Sequence, residues 1–396
     1  MLAAALRRQA AQAMHNATTA QRSCDPHLLD EARGTLRGYG AVVRNARCGG
    51  AYTHRPAVAT LFSMTDIHLP MEWPSFADIP LEEAIPTSRP KGQALSRYIW
   101  WDGEIRQAEK QSVHYYANAL HYGTAVFEGI RVYPTSRGPA LFRVRDHMHR
   151  LLGSARLYGM SIPYGVDELV QGAVQVTRQN GINHAYIRPL AFFGYGPIDI
   201  KPKQACAVSV FIATRELGTF LGEKALRNGA RVTISSWRKF HHSALPTQAK
   251  ASGHYANSVL AAHEALDRGY DDAILLNQDG TVSSATGENI FFVRDGQLCT
   301  NDETSSIVPG ITRDTILMLA REAGVQTSVK AFTREELMRA DEIFLTGTAA
   351  EVTPVCEIDG ATFRTGKDTL GARLQRAYLA TVTGKDPRHH DLLTWV

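Results

Sequence analysis

Residues 247–255 read Thr-Gln-Ala-Lys-Ala-Ser-Gly-His-Tyr, a polar stretch of small residues with a single lysine, Lys250. It lies before an apolar helical pattern that Ser252 is predicted to cap and Gly269 to end in a left-handed turn. Lys250 therefore lies in a tight bend, with the hydroxyl of Tyr255 close by. A buried lysine amine can form a Schiff base, whereas an isolated lysine before a helix is more often a solvated surface charge. The rest of the chain decides between these interpretations.

Composition predicts a soluble globular protein with more than one core. The chain has 396 residues, of which 44% are hydrophobic and 21% are charged, and its net charge is +4. A chain of this length is too long for one ordinary core, so two domains are expected. The sequence contains no apolar run of the ~18 residues that a membrane helix needs and no dense basic cluster, so neither a membrane nor nucleic acid is an expected partner. Five cysteines without CxxC spacing indicate a reducing compartment, hence the cytoplasm, and no metal site.

The N-terminal part, residues 1–97, is predicted to be a largely irregular extension. Its start carries arginines and no acidic residue before Asp25, which leaves organellar import by residues 1–20 open. A true start at Met64 or Met71 explains the same composition. Prolines then interrupt the segment up to residue 90.

Deleting residues 1–63 is expected to leave folding and activity intact, because few long apolar stripes occur before residue 98. The melting temperature and the activity of the truncated protein test this. A large fall in melting temperature would show that the segment packs into the fold.

Residues 98–217 are predicted to form a small α+β domain, and residues 218–396 a larger domain that contains Lys250. Short strands, with helices at about 146–158 and 167–180, make up the first domain, and a linker is expected at 215–227. The second domain has short strands joined by tight Asp-Gly turns. Two apolar helical stripes are expected to be buried: Leu151, Leu152, Ala155 and Leu157 in the first helix, and Val259, Ala262, His263 and Leu266 in the helix after Ser252.

Two stretches can bind an anion through backbone N–H groups. Residues 309–312 (Pro-Gly-Ile-Thr) precede a helix, where the unsatisfied amides and the dipole favour a phosphate. Residues 347–350 (Gly-Thr-Ala-Ala) follow a strand in a turn of small residues. Together with Lys250, these stretches indicate a phosphorylated aldehyde cofactor, and pyridoxal 5'-phosphate needs a lysine, a phosphate cup and a group at its pyridine nitrogen.

Several segments then resemble one family in the same order. Residues 122–131 (YGTAVFEGIR) resemble the YGTxxFEGIR signature of branched-chain amino acid aminotransferases, which are fold-type IV pyridoxal phosphate enzymes. The other matching segments are 185–190 (AYIRPL), 249–250 with Tyr255, 287–291 (GENIF), 309–313 (PGITR) and 347–351 (GTAAE). The resemblance covers residues 98–396 and implies transamination of leucine, isoleucine and valine with 2-oxoglutarate. It implies the fold of D-amino acid aminotransferase-like enzymes, with a small N-terminal α/β domain and a larger C-terminal domain that has a barrel-like sheet. It also implies a homodimer or a higher homo-oligomer, because Tyr122 in this family comes from the partner subunit.

The resemblance assigns roles to individual residues. Lys250 would be the catalytic residue, which bonds to the cofactor and moves the proton. Arg150 would bind the phosphate of the cofactor, and Tyr255 would bind its phenolic oxygen. The implied cofactor contacts are Lys250, Arg150, Tyr255, Ser284, Glu288, Ile311, Thr312 and Thr348. The implied substrate contacts are Tyr122, Phe127, Arg131, Tyr186, Arg188, Phe220, Thr348 and Ala349.

Ser284 departs from the family pattern. In the family a glutamate stands at this position and keeps the pyridine nitrogen protonated, while serine cannot enforce that protonation. Glu288 is predicted not to replace it, since four residues along a regular strand span ~13 Å. Ser284 therefore leaves open a lyase or an epimerase on the same scaffold. The intact 122–131 and 185–190 segments disfavour a D-amino acid aminotransferase or an aminodeoxychorismate lyase, and Lys250 disfavours a cofactor-binding protein without turnover.

Overall fold

The first of two sheets is antiparallel throughout. We describe a computed structural model, which covers residues 96–215 and 221–396. The eight strands of the first sheet are ordered β17-β5-β4-β6-β7-β1-β2, and β3 pairs with β6. They are β1 (Tyr98–Trp101), β2 (Glu104–Gln107), β3 (Ala125–Phe127), β4 (Ile130–Thr135), β5 (Gly138–Phe142), β6 (Ala185–Phe193), β7 (Val208–Arg215) and β17 (Leu393–Trp395).

Two long helices cover the first sheet and form its core. Helices α2 (Val144–Leu157) and α3 (Val166–Asn180) follow the short helix α1 (Asn118–Tyr122). Leu151 of α2 and Leu169 of α3 are fully buried against Ile187 of β6. The prediction for Leu157 is wrong, because its side chain is 56% exposed at the C-terminal end of α2.

The second sheet mixes parallel and antiparallel pairs. Its nine strands are ordered β10-β9-β8-β15-β14-β11-β12-β13, with β16 on β15, and this path has two ends, so the barrel-like sheet is open. Pairs β8–β9, β8–β15 and β12–β13 are parallel. The strands are β8 (Ala230–Arg238), β9 (Asp272–Leu276), β10 (Val282–Ala285), β11 (Asn289–Arg294), β12 (Gln297–Thr300), β13 (Thr327–Val329), β14 (Glu342–Gly347), β15 (Glu351–Ile358) and β16 (Ala361–Thr362).

Five further helices accompany the second sheet within the described residues: α4 (Gly222–Asn228), α5 (Tyr255–Asp267), α6 (Ile311–Glu322), α7 (Arg334–Met338) and α8 (Leu370–Val382). Helix α4 occupies much of the predicted linker 215–227, so that part of the prediction is wrong. The predicted boundary at residues 217–218 lies outside the described residues, as does almost all of the predicted extension, so the two-domain division stays a prediction. None of the helices in the described part is both long and apolar enough to cross a membrane.

Helix α5 buries small residues and not the predicted stripe. Val259 is 49% exposed and Leu266 is 72% exposed, whereas Ala261 and Ala265 pack against Leu275 of β9 and neighbouring apolar residues. Alanine lets the helix approach the sheet closely, so the larger side chains point away from the sheet. The prediction that Ser252 caps α5 is also wrong, because Ser252 begins a short 3-10 turn before α5 and makes no capping hydrogen bond to it. Gly269 does end the segment in the left-handed region, with φ +76°.

Candidate active site

A cavity of about 420 Å³ lies where the two sheets meet around Lys250. Phe127 and Tyr186 come from the first sheet, and Ser284 and Thr346 come from the second sheet. Most of the predicted site residues line this cavity: Lys250, Arg150, Tyr255, Ser284, Glu288, Ile311, Thr312, Thr348, Phe127, Tyr186, Arg188 and Ala349. Segments that are far apart in the sequence therefore meet at one place.

Two hydrogen bonds hold the backbone of Lys250, one at its N–H and one at its carbonyl. Its N–H donates to the Oγ of Ser154 at 3.0 Å, and its carbonyl accepts from the N–H of Phe127 at 3.0 Å. Its Nζ donates to the Tyr255 hydroxyl at 2.6 Å and lies 5.0 Å from the centre of the Phe127 ring. The amine is thus fixed in the cavity by a hydroxyl and an aromatic face.

Arg150 is oriented by a fully buried carboxylate. Its Nε donates to Glu128 Oε1 at 2.6 Å, and its Nη2 donates to Oε2 at 2.9 Å. His147 Nδ1 lies 2.7 Å from Glu128 Oε2. Burial raises the pKa of Glu128, but the charges of Arg150 and His147 outweigh burial and hold this pKa well below its usual range. The carboxylate stays ionised and fixes the plane of the Arg150 guanidinium.

The N-terminus of α6 faces Arg150 and forms a cup for an anion. Gly310 is the N-cap residue, and Ile311 and Thr312 open the helix with amides that have no partner within the helix. Arg150 Nη1 donates to the Pro309 carbonyl at 2.6 Å, which joins the arginine to the cup. A side chain at Gly310 would collide with the Oδ1 of Asn289. The cup thus combines a helix dipole with a fixed guanidinium.

Arg131 holds the turn at residues 347–350 through two backbone carbonyls. It is buried and does not line the cavity; its Nε donates to the Thr348 carbonyl at 2.8 Å and its Nη2 to the Ala349 carbonyl at 2.6 Å. Because Arg131 donates to both carbonyls, the turn at 347–350 is fixed at the edge of the cavity. The structure thus gives Arg131 a supporting position, which differs from the predicted substrate contact.

Arg188 lines the cavity beside the Phe127 ring. Its Nη2 donates to the Tyr186 hydroxyl at 3.1 Å, and its guanidinium is 4.4 Å from the centre of the Phe127 ring. The Nε of Arg188 is buried without a hydrogen-bond partner in the described part of the chain. This cation and its apolar surroundings suit a ligand with a carboxylate and a hydrophobic side chain.

The chain reverses between Ser284 and Glu288. The N–H of Ala285 donates to the Glu288 carbonyl at 3.0 Å, so residues 285–288 form a turn between β10 and β11. The assumption of a regular strand here is wrong, and both Ser284 and Glu288 line the cavity. Burial, followed by the nearby charge of Asp272, raises the pKa of Glu288 well above its usual range. Asp272 lies beside it, and its Oδ1 accepts a hydrogen bond from the Thr286 hydroxyl at 2.6 Å.

The two remaining predicted site residues are Tyr122 and Phe220. Tyr122 ends helix α1, is 43% exposed and does not line the cavity, while Phe220 lies outside the described residues. Sequence reasoning also missed Glu128, Ser154 and Lys239. Glu128 lies inside the quoted 122–131 segment and could have been singled out there, whereas Ser154 and Lys239 carry no motif.

The chain belongs to the class IV aminotransferase family, whose sequence model (amino-transferase class IV) matches residues 125–358. The branched-chain-amino-acid aminotransferase of Escherichia coli (strain K12) is 43% identical over 289 residues, which cover 73% of this chain and 94% of that protein. A crystal structure of the Escherichia coli branched-chain amino acid aminotransferase has a TM-score of 0.73 at 42% identity and covers 75% of this chain and 98% of that chain. The branched-chain amino acid aminotransferase from Thermobaculum terrenum, in its PLP form, has a TM-score of 0.71 at 36% identity and covers 76% of this chain and 98% of that chain.

Proposed function

We propose that this protein transfers the amino group of leucine, isoleucine or valine to 2-oxoglutarate with pyridoxal 5'-phosphate as cofactor. The observation that carries the proposal is the Lys250 amine, which is fixed 2.6 Å from the Tyr255 hydroxyl inside a cavity that also contains an anion cup. The names of the related proteins point to the same substrates, and the relative from Thermobaculum terrenum was solved in its PLP form.

The residues in the cavity fit this cofactor. A phosphate would satisfy the free amides of Ile311 and Thr312 and would pair with Arg150. The Oγ1 of Thr346 is buried in the cavity wall without a hydrogen-bond partner in the described part, which a polar ligand can correct. When bound, pyridoxal phosphate takes up the amino group and withdraws electrons from the substrate Cα, so that the Cα–H bond becomes acidic.

Lys250 then moves the proton. Its Nζ would take the proton from the Cα of the amino acid and deliver it to the carbon that carries the aldehyde in the free cofactor, and it would move a proton in the opposite direction when the oxo acid reacts. The Tyr255 hydroxyl holds the amine, the hydrogen bond from the Lys250 backbone N–H to Ser154 holds the backbone, and the Phe127 ring limits access of water. Tyr255 would also hold the phenolic oxygen of the cofactor, and Thr348 its phosphate.

The other end of the cavity would select the substrate. Tyr186 and the turn with Thr348 and Ala349 would hold the α-carboxylate. Phe127 would contact an aliphatic side chain, and Tyr122 of the partner subunit would add to this contact in a dimer. Each buried methylene is worth about 0.8 kcal/mol. Arg188 would pair with the second carboxylate of glutamate or 2-oxoglutarate. One apolar surface with one separate cation can therefore accept both substrates.

Steady-state assays test the proposal. Holoenzyme with L-leucine, L-isoleucine or L-valine and 2-oxoglutarate should produce glutamate, and D-leucine should not replace the L-amino acid. Glutamate formation from none of the three L-amino acids would contradict the proposal.

We also propose a homodimer in the cytoplasm. Exposed aromatic rings near α1, including Tyr115 (67% exposed) and Tyr195 (65% exposed), support an interface there. The thiols of Cys206, Cys299 and Cys356, the cysteines of the described part of the chain, are free, which supports a reducing compartment. Sedimentation of the full chain tests the dimer.

Ser284→Glu is expected to raise the transamination rate by about tenfold, since a carboxylate beside the ring nitrogen raises its pKa by about one unit or more. A protonated ring is the better electron acceptor. The measurement is kcat for L-leucine, with Ser284→Gln as the control of similar size without charge. If Ser284→Glu slows a wild-type enzyme that already reacts at a typical rate, this explanation of Ser284 is wrong.

A further inference from the structure

Arg143 joins the starts of helices α2 and α6. It is the N-cap residue of α2, and its side chain is only 14% exposed. Its Nε donates to the Asp146 carboxylate at 2.6 Å, and its Nη1 donates to the Asp314 carboxylate at 2.6 Å. Asp146 lies in the first turn of α2, and Asp314 lies in the first turn of α6. One guanidinium therefore bridges two helix starts.

The Nη1 atom of Arg143 has two further partners in the first turn of α6. It lies 3.1 Å from the Thr315 hydroxyl oxygen and 3.3 Å from the Ile311 carbonyl oxygen. Ile311 is one of the residues whose free amides form the anion cup. Arg143 is thus bonded to the element that forms the cup, although it does not line the cavity itself.

The backbone of Arg143 adopts a conformation that is uncommon for an arginine. Its φ is +49°, in the left-handed region, and its N–H donates to the Leu392 carbonyl at 2.8 Å, just before β17. Such a conformation costs free energy and persists where surrounding contacts fix it, which occurs often at functional sites. The bridge to α6 is a function that accounts for it.

Helix electrostatics alone do not explain a cation at this position. A positive charge at the N-terminus of a helix opposes the helix dipole, and Arg143 lies at two such ends. The side chains of Asp146 and Asp314 are 44% and 59% exposed, so water can solvate both carboxylates without the arginine. The contribution of the guanidinium is therefore a fixed connection between the two helices.

The two connected helices carry the two halves of the cup. Arg150 lies farther along α2, and the amides that open α6 lie opposite it. Arg150 Nη1 donates to the carbonyl of Pro309 at 2.6 Å, just before the N-cap residue Gly310, whereas Arg143 contacts the residues just after it. The two arginines thus attach α2 to the cup on both sides of Gly310.

We propose that Arg143 is a positioning residue that sets the place of the α6 amides relative to the Arg150 guanidinium, so that both bind one phosphate. Donors that share a ligand must be held at fixed positions, and a displacement of about 1 Å weakens such a site. The planar fork of arginine can reach both carboxylates at once, whereas the ammonium of lysine is a point charge. This inference rests on the proposed function, because it requires pyridoxal phosphate in the cup.

The test titrates apoenzyme with pyridoxal phosphate for the Kd and records the ³¹P resonance of the bound phosphate. Arg143→Gln should weaken binding about tenfold and shift the resonance. Arg143→Lys keeps the charge, and hence the solvation of the fold, but loses the bridge, so it should also weaken binding. Arg145→Gln is the matched control, because Arg145 lies at the same helix start but pairs with Asp167 of α3 at 2.7 Å. Its Kd and its resonance should equal those of the wild type.

A double-mutant cycle separates positioning from charge. If Arg143 places α6 opposite Arg150, Arg143→Gln should lose most of its effect on the Kd in the Arg150→Gln background. Additive effects of the two substitutions would overturn the inference, as would a wild-type Kd in Arg143→Lys. Failure of the wild-type apoenzyme to bind pyridoxal phosphate would contradict the proposed function. Tight binding by the wild type together with additive effects would remove only the role of Arg143.

Discussion

Replacing Lys250 with alanine is expected to lower turnover by at least ~10⁴-fold and to remove the absorbance of the lysine-bound cofactor. The amine makes the covalent bond and also moves the proton, and no second amine of the described residues occupies its position next to Tyr255. Lys239 lines the same cavity, but its backbone is anchored on the second sheet, at Leu276. Absorbance of the purified variant with added cofactor, together with glutamate formation from L-leucine and 2-oxoglutarate, measures both effects.

Lys330→Ala is the matched control for this variant. Lys330 is exposed, pairs with Glu336 at 3.1 Å and does not line the cavity, so both readouts should stay at the wild-type level. Turnover near the wild-type rate in Lys250→Ala would contradict the whole assignment of the site.

Replacing Arg150 with glutamine is expected to weaken cofactor binding about 100-fold. A charged hydrogen bond contributes roughly 1.5–3 kcal/mol, and about 2.8 kcal/mol corresponds to about 100-fold in Kd. Arg150 is also bonded to Glu128 and to the Pro309 carbonyl, so its loss loosens the cup at the start of α6. Titration of the apoenzyme with pyridoxal phosphate gives the Kd.

Arg145→Gln supplies the control on the same helix. Arg145 pairs with Asp167 at the surface, with both side chains more than half exposed, and its loss should leave the Kd unchanged. An Arg150→Gln variant that binds cofactor as tightly as the wild type would contradict the phosphate role.

Glu128→Gln should lower the free energy of unfolding by about 3–5 kcal/mol, because it leaves Arg150 and His147 buried without their carboxylate.

Local sequence was sufficient for the parts of the site that belong to motifs. Lys250 with Tyr255, the helix start at 309–312 and the turn at 347–350 were each recognisable from residue type and spacing, and all three meet at one cavity. Backbone amides at a helix start are exposed whatever the tertiary structure, so position in the sequence alone indicates an anion site. The fold followed from the family resemblance and is confirmed by the family match and the related structures.

Features that depend on tertiary packing could not be predicted. The turn at 285–288 brings Ser284 and Glu288 to the same cavity, although four residues along a regular strand would separate them by ~13 Å. Helix α5 exposes Val259 and Leu266, because its alanine face fits the sheet more closely. Lys239 is buried in the cavity wall only through the packing of the second sheet, and no local sequence pattern indicates that position.

The most direct test of the central claim is a single half-reaction without any acceptor. Purified holoenzyme mixed with L-leucine should release one equivalent of 4-methyl-2-oxopentanoate per active site and convert the cofactor to its amine form, and added 2-oxoglutarate should restore the original absorbance with formation of glutamate. Release of ammonia, racemised leucine without oxo acid, or an unchanged cofactor spectrum would contradict transamination of branched-chain amino acids by this protein.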